Sequence, residues 1–83
     1  MTQQFDDCRD EACRFVTWLI DNPNKTKSTY SANPAGVLWT KIWKFDGSNF
    51  WTITTAPGLY DRWTIQQSDQ VSKSIQEALA AEK

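Results

Sequence analysis

An Asp-Gly pair, Asp46-Gly47, separates two runs that are rich in β-branched and aromatic residues, 37–45 and 50–55. Asp-Gly suits the positive backbone angles of a tight turn, so this arrangement is a strong signal for a β-hairpin. A third run of the same character, 59–66, follows after a short connection. Because short connections join antiparallel strands, we expect a meander of three strands.

Two amphipathic segments flank the expected sheet. Residues 3–21 and 69–82 each carry apolar side chains at helical spacing, which predicts two helices with one buried stripe each. Residues 22–36 are polar and contain Asn-Pro twice, which predicts a linker, with residues 27–31 suited to a short edge strand.

The predicted fold is therefore α+β, a single small domain of α-β-β-β-α order in which a three-stranded antiparallel sheet packs against N- and C-terminal helices. Its parts are helix 3–21, linker 22–36, sheet 37–66 and helix 69–82 within residues 1–83. The element order resembles that of double-stranded-RNA-binding domains. The last helix opens with Ser72-Lys73-Ser74 where that family has a basic Lys-Lys run, so none of the family's binding residues is assigned here.

Side chains alternate along a strand, so the aromatic residues divide between two faces of the sheet. We expect both helices to cover the first face, which carries Trp39, Trp43, Phe45 and Phe50. An even-length connection before the third strand adds Trp63 to that face, and an odd-length connection places Trp63 on the opposite face.

The second face combines apolar and cationic side chains and lacks an obvious cover. Its members are Leu38, Ile42, Lys44, Trp51, Ile53, Tyr60 and Arg62. An apolar patch of this kind is typical of a binding surface, and Trp, Tyr and Arg are common at the energetic centres of interfaces. The alternatives are that the two helices lie on opposite faces, that two copies of the chain pair through this face, or that it binds nucleic acid.

The first helix is a second candidate for partner binding because its charge is acidic. Residues 1–24 carry five acidic and two basic groups, whereas residues 25–62 carry two acidic and five basic groups. The candidate contact residues on this helix are Asp6, Asp7, Asp10, Glu11 and Trp18. Such a helix can mimic phosphates toward a nucleic-acid-binding protein. For Trp18, the alternative is that it covers a neighbouring loop.

Several classes of function are not expected. The chain has no histidine, no phosphate-binding loop and no nucleophile motif, so we predict neither an enzyme nor a cofactor or metal site. No apolar run is long enough to span a bilayer, which predicts no membrane segment. Cys8 and Cys13 on one helix would be about 8 to 9 Å apart, beyond disulfide reach, which favours a reduced, cytoplasmic protein.

The sequence therefore predicts a non-enzymatic protein-protein interaction module. In size, acidity and lack of catalytic motifs it resembles the small inhibitors, including anti-CRISPR proteins, with which phages block host machinery. Alternatives are a module that binds single-stranded nucleic acid or RNA, less favoured because the chain has a net charge of −1, and a structural homodimer.

Overall fold

The computed structural model of the protein describes residues 10–32, 36, 38–55 and 59–82. Its elements are helix α1 (Glu11–Asp21), strands β1 (Thr26–Ala32), β2 (Leu38–Phe45), β3 (Asn49–Thr54) and β4 (Leu59–Thr64), one turn of 3₁₀ helix (Ile65–Gln67) and helix α2 (Ser68–Ala81). The four strands form one antiparallel sheet in the order β1-β2-β3-β4. The predicted α+β fold and its meander are confirmed.

The sheet has one strand more than the three predicted. Strand β1 lies in the segment predicted as a linker, where the suggested edge strand at residues 27–31 proves to be seven residues long. Its sequence TKSTYSA has no alternation of apolar and polar residues, so periodicity does not reveal it. What fixes it in place is polar: the buried Thr29 hydroxyl accepts a hydrogen bond from the indole N–H of Trp43 at 3.1 Å.

The predicted hairpin turn is confirmed at Asp46-Gly47. The Asp46 amide donates to the carbonyl of Asn49 at 3.0 Å, and Oδ1 of Asp46 accepts from the amides of Ser48 and Asn49. Gly47 has φ of 100°, a conformation that glycine adopts without strain. The turn therefore sets the β2–β3 register, in which Phe45 pairs with Phe50.

Helix α1 begins at Glu11, so the single helix predicted over 3–21 is interrupted at Asp10, and the predicted helical residues 3–9 lie outside the described residues. Asp10 is extended, with φ of −94° and ψ of 160°, and its carboxylate accepts a hydrogen bond from the Cys13 amide at 2.7 Å. This is the geometry of a helix N-cap. The predicted end at Asp21 is confirmed, with Asn22 as the C-terminal cap.

Cys13 is disulfide-bonded, which corrects the prediction of reduced cysteines. That prediction assumed one continuous helix through both cysteine positions, and the extended backbone of Asp10 removes the assumption. The other cysteine of the sequence, Cys8, lies outside the described residues.

Helix α2 begins at Ser68, one residue before the predicted start at 69, and ends at Ala81. The segment 65–66, predicted as the end of the sheet, belongs to the 3₁₀ turn. The Gln67 side chain explains why the strand ends at Thr64. Its Oε1 accepts a hydrogen bond from the Thr64 amide at 2.9 Å, which caps the 3₁₀ turn.

Both helices lie on the same face of the sheet, as predicted. Among the described residues, the buried hydrophobic side chains come from the helices and from that face: Ala12, Phe15, Val16, Leu19, Trp43, Phe45, Phe50, Val71, Ile75 and Ala78. Trp43 is fully buried, edge-on to Phe15 and stacked at 6.3 Å on Trp63. Trp63 thus joins the first face, as the even-length connection predicts.

Candidate functional site: the open face of the sheet

The second face of the sheet lies away from both helices. We call this surface the open face, and its residues are Leu38, Ile42, Lys44, Trp51, Ile53, Tyr60 and Arg62. The strand register aligns two rows across it: Ile42 pairs with Ile53 and Ile53 with Tyr60, while Lys44 pairs with Trp51 and Trp51 with Arg62. All seven residues predicted for this site are therefore brought together on one surface.

The apolar members of the open face are unusually exposed. Leu38, Tyr60 and Ile53 have 75%, 67% and 50% of their surface accessible, whereas Phe50 and Trp43 on the other face have none. No element among residues 10–32, 38–55 and 59–82 covers them. Since a small domain rarely leaves several large apolar side chains together in water, this surface is suited to contact with a partner.

Tyr30 extends the open face onto β1, and sequence reasoning missed it. It pairs with Thr40 and is 59% exposed. It was missed because its segment was predicted to be a linker, and parity assigns a face only to residues placed in a strand. An exposed tyrosine on an edge strand adds amphipathic contact area of the kind that interfaces favour.

Trp51 is the most constrained side chain of the open face. Its indole N–H donates to Oδ2 of Asp46 at 2.7 Å. The Arg62 guanidinium lies 5.6 Å from the centre of its ring, and the Tyr60 ring stacks against it at 6.2 Å and 27°. Three residues thus hold this ring in one orientation, which reduces the side-chain entropy that a binding partner would otherwise have to overcome.

Asp46 is the electrostatic anchor of that arrangement. Hydrogen bonds from the Asn49 amide, the Trp51 indole and the Ser48 amide lower the pKa of its carboxyl from 3.8 to about 2, with Lys44 adding a smaller effect. These donors stabilise the charged form, so Asp46 remains an anion across the physiological range.

The charges that the strands add to the open face are positive. Lys44 and Arg62 flank Trp51 in the same row, and Arg62 forms no ion pair within the part of the chain that the structure describes. The row Ile42–Ile53–Tyr60 beside them carries no charge. The face is therefore apolar along one row and cationic along the next, which suits a partner surface with carboxylates beside an apolar patch.

The acidic helix is on the opposite side of the sheet from the open face, because α1 packs on the Trp43 side. Asp10 and Glu11 lie at its start, while Asp6 and Asp7 are outside the described residues. Trp18 is half-buried against the core, and the Nζ of Lys27 lies 5.2 Å from its ring. Trp18 therefore contacts Lys27 of strand β1. One flat partner surface does not reach both candidate sites.

No group of three or more metal-ligating side chains occurs within the described ranges. None of the helices in these ranges is long and apolar enough to cross a membrane. Comparison with protein-family models, with curated proteins and with solved structures found no match. Function is therefore inferred from the geometry of the chain itself.

Proposed function

We propose that this chain is a non-enzymatic protein-binding module whose open face is the contact surface. The observation that carries the proposal is the joint exposure of Leu38, Ile53 and Tyr60 beside a tryptophan that is already held in place. Burying apolar side chains of this size contributes roughly 1.5 to 3 kcal/mol each, which is enough for a few to dominate an affinity.

The partner is a protein surface that is apolar at its centre and carries carboxylates facing Lys44 and Arg62. Inhibitors of the phage type act by covering a surface of their target, and a module with one uncovered face fits that mode of action. The acidic residues of α1 are not needed for this contact, since they lie behind the sheet.

Affinity capture with matched variants tests the proposal. Wild type, the double variant Leu38→Ser/Ile53→Ser and the helix variant Glu11→Ser/Asp21→Ser are each used as bait in a lysate of the native host. A protein held by wild type and by the helix variant, but lost from the double variant, is the expected result. Loss from the helix variant alone would assign binding to the acidic helix instead.

A second candidate is single-stranded nucleic acid, favoured by the stack of Arg62, Trp51 and Tyr60. Aromatic rings with adjacent cations are the usual platform for unpaired bases. Labelled oligonucleotides titrated at about 50 mM and 200 mM salt separate the two functions, because phosphate contacts weaken steeply with salt. Absence of binding at both salt concentrations would remove this candidate.

A further inference from the structure

Strand β4 forms one edge of the sheet, and the ladder shows which of its backbone groups point outward. In an antiparallel pair, hydrogen-bonded positions alternate. The Thr55 amide donates to the Thr40 carbonyl and the Asp46 amide donates to the Asn49 carbonyl, so the odd-numbered residues of β3 direct their backbone groups toward β2. Phe50, Thr52 and Thr54 therefore direct their backbone groups toward β4. Their partners in β4 are Leu59, Asp61 and Trp63. The residues between them, Tyr60 and Arg62, therefore direct their amides and carbonyls away from the sheet.

Those two amides have no hydrogen-bond partner within the described part of the chain. At the end of the strand the outward amide of Thr64 is occupied, because it donates to Gln67 at 2.9 Å. The unpaired stretch therefore covers Leu59–Trp63 and stops at the 3₁₀ turn. Unpaired donors and acceptors in this alternation are a template for one more strand.

The opposite edge, β1, is better protected. Its Tyr30 amide donates to the Glu82 carboxylate at 3.0 Å, and helix α2 contacts this strand. Lys25 and Lys27 stand at its start, and lysine is a residue by which natural sheets discourage edge pairing. Strand β4 has neither lysine nor proline, and its Leu59 is 64% exposed.

We propose that β4 accepts an extended segment of the protein partner as a fifth strand. The inference rests on the proposed protein-binding function and specifies its mode. The side chains of β4 define the segment. It carries a carboxylate opposite Arg62 on the open face, a cation opposite Asp61 on the helix side, and a β-branched residue opposite Tyr60.

A second copy of this chain fits the edge less well than such a segment. Antiparallel pairing of two β4 strands about Asp61 places the two Asp61 carboxylates opposite each other, and pairing about Arg62 does the same with the guanidinium groups. Like charges directly opposite are destabilising. Pairing about Tyr60 sets the two Tyr60 residues opposite each other, and this is the one hydrogen-bonded pair that both strands form from described residues. The charge pattern of β4 therefore favours a different chain.

Two peptides of identical composition test the proposal. The first, acetyl-Thr-Val-Glu-Lys-Val-Thr-amide, places Glu opposite Arg62 and Lys opposite Asp61 when it pairs antiparallel; the second exchanges Glu and Lys. Each is titrated to about 2 mM into the ¹⁵N-labelled protein, a range that reveals weak binding. We expect the first peptide to shift the Tyr60 and Arg62 amide resonances and slow their hydrogen exchange, and the second to bind at least about threefold more weakly.

Proline supplies the matched control on the protein. Tyr60→Pro removes an outward amide without touching the β3–β4 ladder, whereas Tyr60→Ala removes the same side chain and keeps the amide. Binding should be about three- to tenfold weaker in the proline variant than in the alanine variant. If the proline variant does not fold, the comparison of the two peptides decides by itself.

Four outcomes would overturn the inference. The Tyr60 and Arg62 amides show no change when peptide is added, or the two peptides bind equally well. Alternatively, hydrogen exchange slows at Thr26 and Ser28 of β1 instead, or it slows at Tyr60 and Arg62 without peptide when the protein concentration is raised. The last would indicate pairing of two copies. Each would leave the open face to be judged by the Leu38→Ser/Ile53→Ser variant, so failure of the edge and failure of the face are distinguishable.

Discussion

The indole N–H of Trp51 lies 2.7 Å from Oδ2 of Asp46, so the largest side chain of the open face is bonded to the hairpin turn that precedes its strand. The same carboxylate accepts from two amides of the turn through its other oxygen. The turn and the exposed face are thus coupled, and a change in one is expected to alter the other.

Replacing Trp51 with Phe should separate the ring from its hydrogen bond. We expect the variant to unfold at a lower urea concentration than wild type and to have a higher pKa at Asp46. The carboxylate loses one of the donors that stabilise its charge. Trp39→Phe is the control, since the Trp39 indole has no hydrogen-bond partner among the described residues. Equal midpoints in both variants and an unchanged Asp46 pKa by NMR would contradict the coupling.

Stability should fall in acid because of Asp46. Its pKa is about 2 in the folded chain, below its ordinary value of 3.8, so its contribution is present above pH 3.8 and is lost as the pH falls toward 2. Urea unfolding followed between pH 5 and pH 2 should show this decline, with a smaller one in Asp46→Asn. Parallel curves for wild type and variant would show that other groups are responsible.

The hydrogen bond between Trp43 and Thr29 should be costly to break because both groups are buried. Thr29→Val keeps the shape but leaves the indole N–H without an acceptor, so we expect a loss of about 1 to 3 kcal/mol in the free energy of unfolding. Thr26→Val, on the same strand but exposed, should change it by less than about 0.5 kcal/mol. A similar loss in both would mean that strand propensity, rather than this bond, is being measured.

Asp10→Ala removes the side-chain cap of helix α1. The expected loss is about 1 kcal/mol by chemical denaturation. Glu11→Ala is the matched control, because it removes a carboxylate one residue later without removing the cap. If the two variants lose the same amount, charge near the helix start accounts for the effect and the cap does not.

The two faces of the sheet should respond differently to truncation. Phe50→Ala, in the core, should cost about 3 to 5 kcal/mol. Ile53 lies on the opposite face of the sheet and is half exposed, so Ile53→Ser should lower the free energy of unfolding much less and leave the fold intact. Denaturation midpoints of both variants check this, and a comparable loss would show that the open face is part of the core.

How far the sequence predicts this molecule depends on the kind of interaction. Alternation placed Trp43 and Phe50 on one face and Trp51 and Ile53 on the other, because apolar burial leaves a period of two in the sequence. The sequence of β1 indicates a linker because its anchor, Thr29, is polar and the hydrogen-bond partner of Thr29, Trp43, is distant in sequence. The break in the first helix at Asp10 is not predicted, because apolar spacing continues through this residue while its backbone is extended and its side chain caps α1.

The candidate site shows the same division. Five of its seven predicted members follow from parity within the hairpin, and Tyr60 and Arg62 follow only if the connection before β4 is even in length. Tyr30 depends on recognising β1, and the hydrogen bond between Trp51 and Asp46 depends on the three-dimensional turn. The separation of the acidic helix from the open face required knowing that both helices share one side of the sheet, which alternation favours but does not determine.

Titration calorimetry of the captured protein against purified variants tests the central claim most directly. The account predicts that Leu38→Ser/Ile53→Ser binds about 100-fold more weakly than wild type, or not at all, while Glu11→Ser/Asp21→Ser binds as wild type does. Wild-type affinity in the folded double variant would contradict the claim that the open face is the binding surface.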